Sequence, residues 1–274
     1  MSGPLPAPPS VSTSDGSKLV ISGTQTVGAF LVADGNKTAH WARGWGSLPN
    51  ALGGGSLNSW LAADKVPAGI LDGAPLTSWV DQSASARNFN ALAGGTLPVY
   101  RANGGPLALP CVDHTGAAGG LNAARGATLI SMTQLTYFAV LMRVGSGTIQ
   151  SIFNAANGAA SAELGINGTG QVFLNRSATS GVGTSVAALA LNQWSLVLVT
   201  LTVGGALHFD INGTVEDYAV GPQVFNDVPT VSYGSYQGTL LYAGKMAELG
   251  LYSTALSGLD LQALKDGLNH KWFG

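Results

Sequence analysis

The sequence predicts an all-β fold, an antiparallel β-sandwich of jelly-roll type with an N-terminal arm, a small β-element and a short C-terminal helix. Three stretches carry that expectation. WSLVLVTLTV (194–203) is a β-branched apolar run, followed after Gly204-Gly205 by ALHFDING (206–213), an alternating strand ending in Asn-Gly; two strands and a tight turn explain it. LTYFAVLMRV (135–144) is a near-continuous apolar run, and TIQSIFN, AELGIN and QVFLN follow it at short intervals with glycine turns between, the even spacing of an antiparallel sandwich. In SGLDLQALKDGLNHKW (257–272), Leu261, Leu264, Leu268 and Trp272 recur at i, i+3, i+7 and i+11 on one helical face, with Ser257 placed to cap and Asp260 in the first turn.

Length and composition bound the function. At 274 residues the chain suits one large all-β domain with an appendage, or two small domains. Charged residues are only 9% against roughly 25% in ordinary soluble proteins. Two readings follow: a surface shared with partners, or a stable module with neutral Ser, Thr and Asn faces. The net charge is −2 and the 12 basic residues are scattered, so no stripe tracks a phosphate backbone and nucleic-acid binding is not expected. Cys111 has no internal disulfide partner, which fits folding in a reducing host cytoplasm and a buried, inert thiol. No positive charge precedes Lys18 and no run of about 18 apolar residues exists, so neither a secretory signal nor a membrane span is expected.

Residues 1–18 read as an extended, proline-rich arm. Pro4, Pro6, Pro8 and Pro9 lie among Ser and Thr, a composition that buries too little surface to fold alone and that a neighbouring subunit would hold. Residues 19–56 read as a small β attachment element and a linker. Apolar strands are expected at 19–22 and 29–33, with a turn at Asp34-Gly35-Asn36, and 42–56, with five glycines, is the linker. Phe30 and Trp41 are, with the arm, the candidate attachment residues. Ile21, Gly23, Thr24, Gly28, Leu31, Ala33, Ala39 and Trp41 match a short β-repeat, and the stretch resembles that repeat of bacteriophage fibre and other virion surface proteins, with Gln25 where proline is usual. So short a meander has little core of its own, which implies packing on another chain, for instance in a trimer, or on the following domain.

The sandwich is expected over 57–274. Trp194, Thr200, Asn212, Gly213, Gly244, Lys245, Glu248, Leu251, Tyr252, Ala255, Leu256 and Ser257 follow one another as a Trp-led strand, a strand closing on Asn-Gly and a closing phrase. Upstream, Trp60, Asp64, Asp72, Gly73, Trp79, Asp81 and Ser83 form an opening phrase, and Val112, His114 and Gly116 a further one. This order resembles the laminin-G-like branch of the concanavalin A-like lectin and glucanase superfamily. Histidine 114 stands where the resemblance implies an aromatic core residue, and is either a satisfied core residue or a rim residue. The fold hosts lectins, glycosidases, adhesion modules and structural spacers, so function needs a site.

The chemistry sought is sparse. A glycosidase needs two carboxylates about 5 to 10 Å apart, and i, i+2 pairs share a strand face. Glu163 stands alone, Glu216-Asp217 are adjacent and face opposite sides, and Glu248 belongs to the closing phrase, so no enzymatic activity is expected. His40, His114, His208 and His270 show no zinc spacing. Laminin-G-like resemblance raises calcium, for which Asp64, Asp72, Asp81, Asp113, Asn154 and Asn167 are candidates, but isolated turn carboxylates usually cap backbone amides; no metal or cofactor is expected. Sugar binding needs an aromatic platform beside amide or carboxylate groups, and Tyr236, Gln237, Tyr233 and Asn88 are the candidate residues, Tyr236 first.

Two functions follow as expectations. The first is a non-enzymatic bacteriophage structural protein at the virion surface, a capsid decoration or minor tail or fibre protein, anchored by its N-terminus and partnered by other virion proteins and by copies of itself. The second is a carbohydrate-binding adhesin or lectin that recognises host surface glycans.

Overall fold

A computed structural model of the chain describes residues 11–12, 18–19, 29–33, 39–43, 48–91, 96–115, 121–124, 132–156, 162–177, 180–225, 230–235, 240–256 and 258–274. The chain divides into two units, Met1–Pro49 and Asn50–Gly274. Two ribbons are described in the first. β1 (Val11–Ser12) pairs with β2 (Lys18–Leu19), and β3 (Ala29–Ala33) pairs with β4 (Ala39–Arg43). The expected strand at 29–33 is present, its partner being the Ala39-His40-Trp41 phrase; of the one expected at 19–22, only Leu19 lies within the described residues. Pro4, Pro6, Pro8 and Pro9 lie outside them.

The division falls within the glycine-rich stretch 42–56, but residues 50–56 are not a linker. The Gly53 amide donates to Asp260 at 3.1 Å, Ser253 donates its amide to the Ser56 carbonyl at 2.9 Å, and Ser56 Oγ lies 2.5 Å from Thr254 Oγ1. A segment with little side chain to bury is docked by its backbone instead.

The second unit holds two sheets, each of eight strands among the described residues. From edge to edge the first runs β15 (Ser180–Ala188), β14 (Gln171–Ser177), β13 (Glu163–Ile166), β12 (Gln150–Ala156), β19 (Thr230–Tyr233), β10 (Leu121–Ala124), β7 (Phe89–Ala91) and β6 (Ser78–Trp79). The second runs β18 (Thr214–Ala219), β17 (Ala206–Ile211), β16 (Trp194–Leu201), β11 (Leu135–Arg143), β20 (Gly244–Tyr252), β9 (Cys111–Asp113) and β8 (Val99–Arg101), and β5 (Leu57–Ala62) also pairs with β20. Every described pairing is antiparallel. The turn between β17 and β18 has positive φ at Asn212 (52°) and Gly213 (87°), as a two-residue Asn-Gly hairpin requires.

One apolar core lies between the sheets. Phe153, Leu164, Leu174 and Tyr233 enter it from the first sheet, and Tyr137, Val199, Phe209 and Leu251 from the second. The spacing of Met246, Leu249 and Leu251 breaks strict alternation because the register shifts opposite Val140 and Leu141: Met246 pairs with Leu141 and Glu248 with Val140, leaving Ala247 as the extra residue. All three apolar residues therefore face the core while Glu248 faces away. The C-terminal helix, Gly258–Trp272, covers that opposite face, with Leu264, Leu268 and Trp272 buried. Cys111 is buried, and burial pushes its thiol pKa up to about 11, as an inert thiol requires.

Candidate functional site

Paired residues of the first sheet alternate between its two faces. Leu174, Leu164, Phe153, Tyr233 and Leu121 form one row, directed into the core. The next row is Asn175, Glu163, Asn154, Ser232, Asn122, Asn90 and Ser78, paired in that order from β14 to β6, and alternation assigns it to the face away from the core. It is polar at every position. Six strand spacings of about 4.8 Å make it roughly 29 Å long.

Burial along the row is graded. Asn90 is exposed, Ser78 and Asn175 are half-buried, and Asn154, Ser232 and Glu163 are 0%, 0% and 2% exposed. Buried polar atoms normally find partners, yet at the centre of the row several have none. Asn175 Nδ2 donates to Glu163 Oε2 at 3.5 Å, while Glu163 Oε1, both amide atoms of Asn154, Ser232 Oγ and, opposite Gly165 on the same face, Ser151 Oγ have no hydrogen-bond partner. Burial raises the Glu163 pKa, opposed by Asn175 and Ser151. Beside Glu163 the row has an aromatic neighbour: Phe173 pairs with Gly165, and a Cβ at Gly165 would lie 2.3 Å from Phe173 Cζ, so the ring lies across the glycine. A carboxylate, a primary amide, a hydroxyl and a phenyl ring, itself buried, thus meet on one face of the sheet.

Of the sequence-predicted sugar residues, only Asn88 is exposed near this row, just before β7. Tyr233 is a correction. Its ring is 1% exposed, tilted against Phe89 at 4.6 Å and Phe153 at 5.0 Å, with its hydroxyl 2.6 Å from Ser59 Oγ, because its strand position faces inward. Tyr236 and Gln237 lie outside the described residues. Phe30 and Trp41 sit on the two strands of the β3–β4 ribbon, opposite Ala42 and Leu31 respectively. The row itself escaped sequence reasoning, although a signal is there: Phe89-Asn90-Ala91, Leu121-Asn122-Ala123, Phe153-Asn154-Ala155, Glu163-Leu164, Leu174-Asn175 and Ser232-Tyr233 each set a polar residue beside the inward apolar one.

The other polar candidates have structural tasks. Asp81 accepts the amides of Trp60, Ser83 and Arg87 and the Ser83 hydroxyl; Asp72 accepts the Ala102 amide, Asp113 that of Thr115, and Asn167 those of Thr169 and Gln171. Asp64 pairs with Lys271 at 2.8 Å. Among the described residues no three His, Cys, Asp or Glu side chains gather. Glu248, fully buried, accepts from Trp60 Nε1 at 2.6 Å, Trp272 Nε1 at 2.6 Å and Lys271 Nζ at 2.8 Å, which locks the helix to β20; burial raises its pKa against the pull of those donors. His114 is neither satisfied nor at the rim. It is 1% exposed, edge-on to Tyr242 at 5.9 Å, with both ring nitrogens unpaired, and burial lowers its pKa to about 4 against a smaller pull from Asp113.

A family model described as the concanavalin A-like lectin/glucanases superfamily matches residues 115–262. Comparison with curated protein sequences found no match. Among solved structures, the chain is similar to domain 4 of an extracellular arabinanase from Geobacillus stearothermophilus, in complex with arabinotriose, at 15% identity and a TM-score of 0.55, covering 76% of this chain and 97% of that one. It is also similar to the binding domain of botulinum neurotoxin serotype G, at 9% identity and TM-score 0.50, covering 70% and 48%. A Trypanosoma rangeli sialidase mutant displaying trans-sialidase activity matches at 13% identity and TM-score 0.50, covering 83% and 36%. The chain therefore spans about half or less of the toxin and sialidase chains. Identities this low establish a shared fold.

Proposed function

Because the chain belongs to the concanavalin A-like lectin/glucanases superfamily, we propose that it is a non-enzymatic glycan-recognition protein, carried on a bacteriophage particle by its N-terminal unit and binding sugar on the polar face of the first sheet. The observation that carries the reading is the row from Asn175 to Ser78. Its centre holds buried polar atoms without partners, beside the Phe173 ring. Sugar sites pair an apolar ring surface with a few placed hydrogen-bonding groups. The arabinanase domain of the same fold is seen with arabinotriose, which supports a sugar ligand here.

Binding without hydrolysis fits the charges. Glycoside hydrolysis calls on a pair of carboxylates, and Glu163 is the one carboxylate in the row. The virion assignment is supported by the phrase from Ile21 to Trp41 and by the proline-rich stretch before it. Screening the full chain on a mixed panel of neutral and acidic glycans tests recognition: retention of at least one class, with no sugar released, is expected, and a blank panel or hydrolysis of a bound polysaccharide would sink it. Particles assembled with a chain lacking residues 1–49 should lose the protein, as read by mass spectrometry of purified virions; retention would assign attachment to the sandwich.

A further inference from the structure

Resting on that glycan reading, we infer that the centre of the row selects uncharged, hydroxyl-rich sugar residues over acidic ones, with Glu163 as the specificity-determining residue. Asn154 is paired across the ladder with Glu163 on one side and Ser232 on the other, so the three side chains occupy neighbouring strands about 4.8 Å apart. The unpaired atoms are two acceptors, Glu163 Oε1 and Asn154 Oδ1; one donor group, Asn154 Nδ2; and two hydroxyls that do both, Ser232 Oγ and, beside Glu163, Ser151 Oγ.

Three ligand chemistries can be compared with that set. A metal cation would engage the oxygens and leave the Asn154 amide N–H groups unpaired. An anion, such as a sugar carboxylate, would accept from Asn154 and Ser232 but meet the Glu163 carboxylate, and the row contains no Lys or Arg to offset the repulsion. Hydroxyl groups donate and accept together, so a neutral sugar with two or three of them matches every unpaired atom. Leaving a buried polar group unmatched is what penalises the wrong ligand. Water has the same dual character and occupies such a site in competition; the sugar adds contact with Phe173, two residues from Asn175 along β14 and on the same face.

The test uses the full chain in calorimetric titrations at pH 8, with neutral oligosaccharides and with counterparts carrying a uronic or sialic acid. Neutral ligands should bind at least about tenfold more tightly, the scale of one lost charge-assisted hydrogen bond. Ser232→Ala removes an unpaired hydroxyl, so its melting temperature should hold or rise while affinity for neutral ligands falls several-fold. Glu163→Gln should narrow the neutral-over-acidic ratio. Acidic ligands binding as well as neutral ones would overturn the inference and leave the glycan reading standing. So would a folded Ser232→Ala that binds neutral ligands like the parent, a result that decides the matter even if Glu163→Gln does not fold. Silence from both ligand classes would overturn the glycan reading itself.

Discussion

His114 is a buried side chain whose surroundings supply packing and no hydrogen bond. Both nitrogens are unpaired, and the pKa near 4 lies below the ordinary histidine value of 6.5. A depressed histidine pKa means the folded state binds fewer protons than the unfolded one. The stability it leaves intact is present above pH 6.5 and is lost as pH falls from there toward 4, by up to about 3 kcal/mol. His114→Phe should flatten that acid limb, with a change of about 1 kcal/mol or less at pH 7.5, where two unpaired polar atoms disappear but the tight approach to Gly234 remains. Thermal unfolding between pH 4 and 8 reads the difference; an unchanged acid limb would show that another group controls it. Glu163 has the opposite sign of linkage. Its raised pKa means that stability is full below the unfolded carboxyl value and falls as pH rises through the folded one.

At the scale of elements, the C-terminal helix is an integral layer. Its amphipathic face could be read directly from Leu261, Leu264, Leu268 and Trp272, but its partner could not, because Glu248, which receives Trp272 and Lys271, is turned toward the helix by the β20 bulge and also receives Trp60 from 188 residues upstream. Trp272→Ala removes a fully buried ring and one donor to a buried carboxylate, and should cost about 3–5 kcal/mol in urea unfolding. A cost under about 1 kcal/mol would mean that the helix is an ornament on a sandwich stable without it. The β20 bulge is a second element-scale device. By adding Ala247 it turns Glu248 toward the helix while Met246 and Leu249 stay in the core, so one strand serves both layers.

For the whole molecule, the core residues lie between Leu61 and Leu251, within the unit that begins at Asn50. Removing residues 1–49 should therefore leave the melting temperature within a few degrees of the parent, whereas extending the deletion through Ser56 should lower it by severing the bonds to Ser253, Thr254 and Asp260. Local sequence determined the all-β class, the Asn-Gly hairpin at 212–213, the strands at 135–143 and 194–201 and the helix at the end, because apolar periodicity and turn chemistry act over a few residues. Tertiary structure decided the rest. That Tyr233 enters the core, that residues 50–56 are docked, and that Asn154 stands between Glu163 and Ser232 all depend on register between strands distant in the chain. Pairing Asn154 with Ser232 joins residues far apart in the chain, and only the ladder of backbone hydrogen bonds that aligns β12 with β19 turns scattered polar residues into one row.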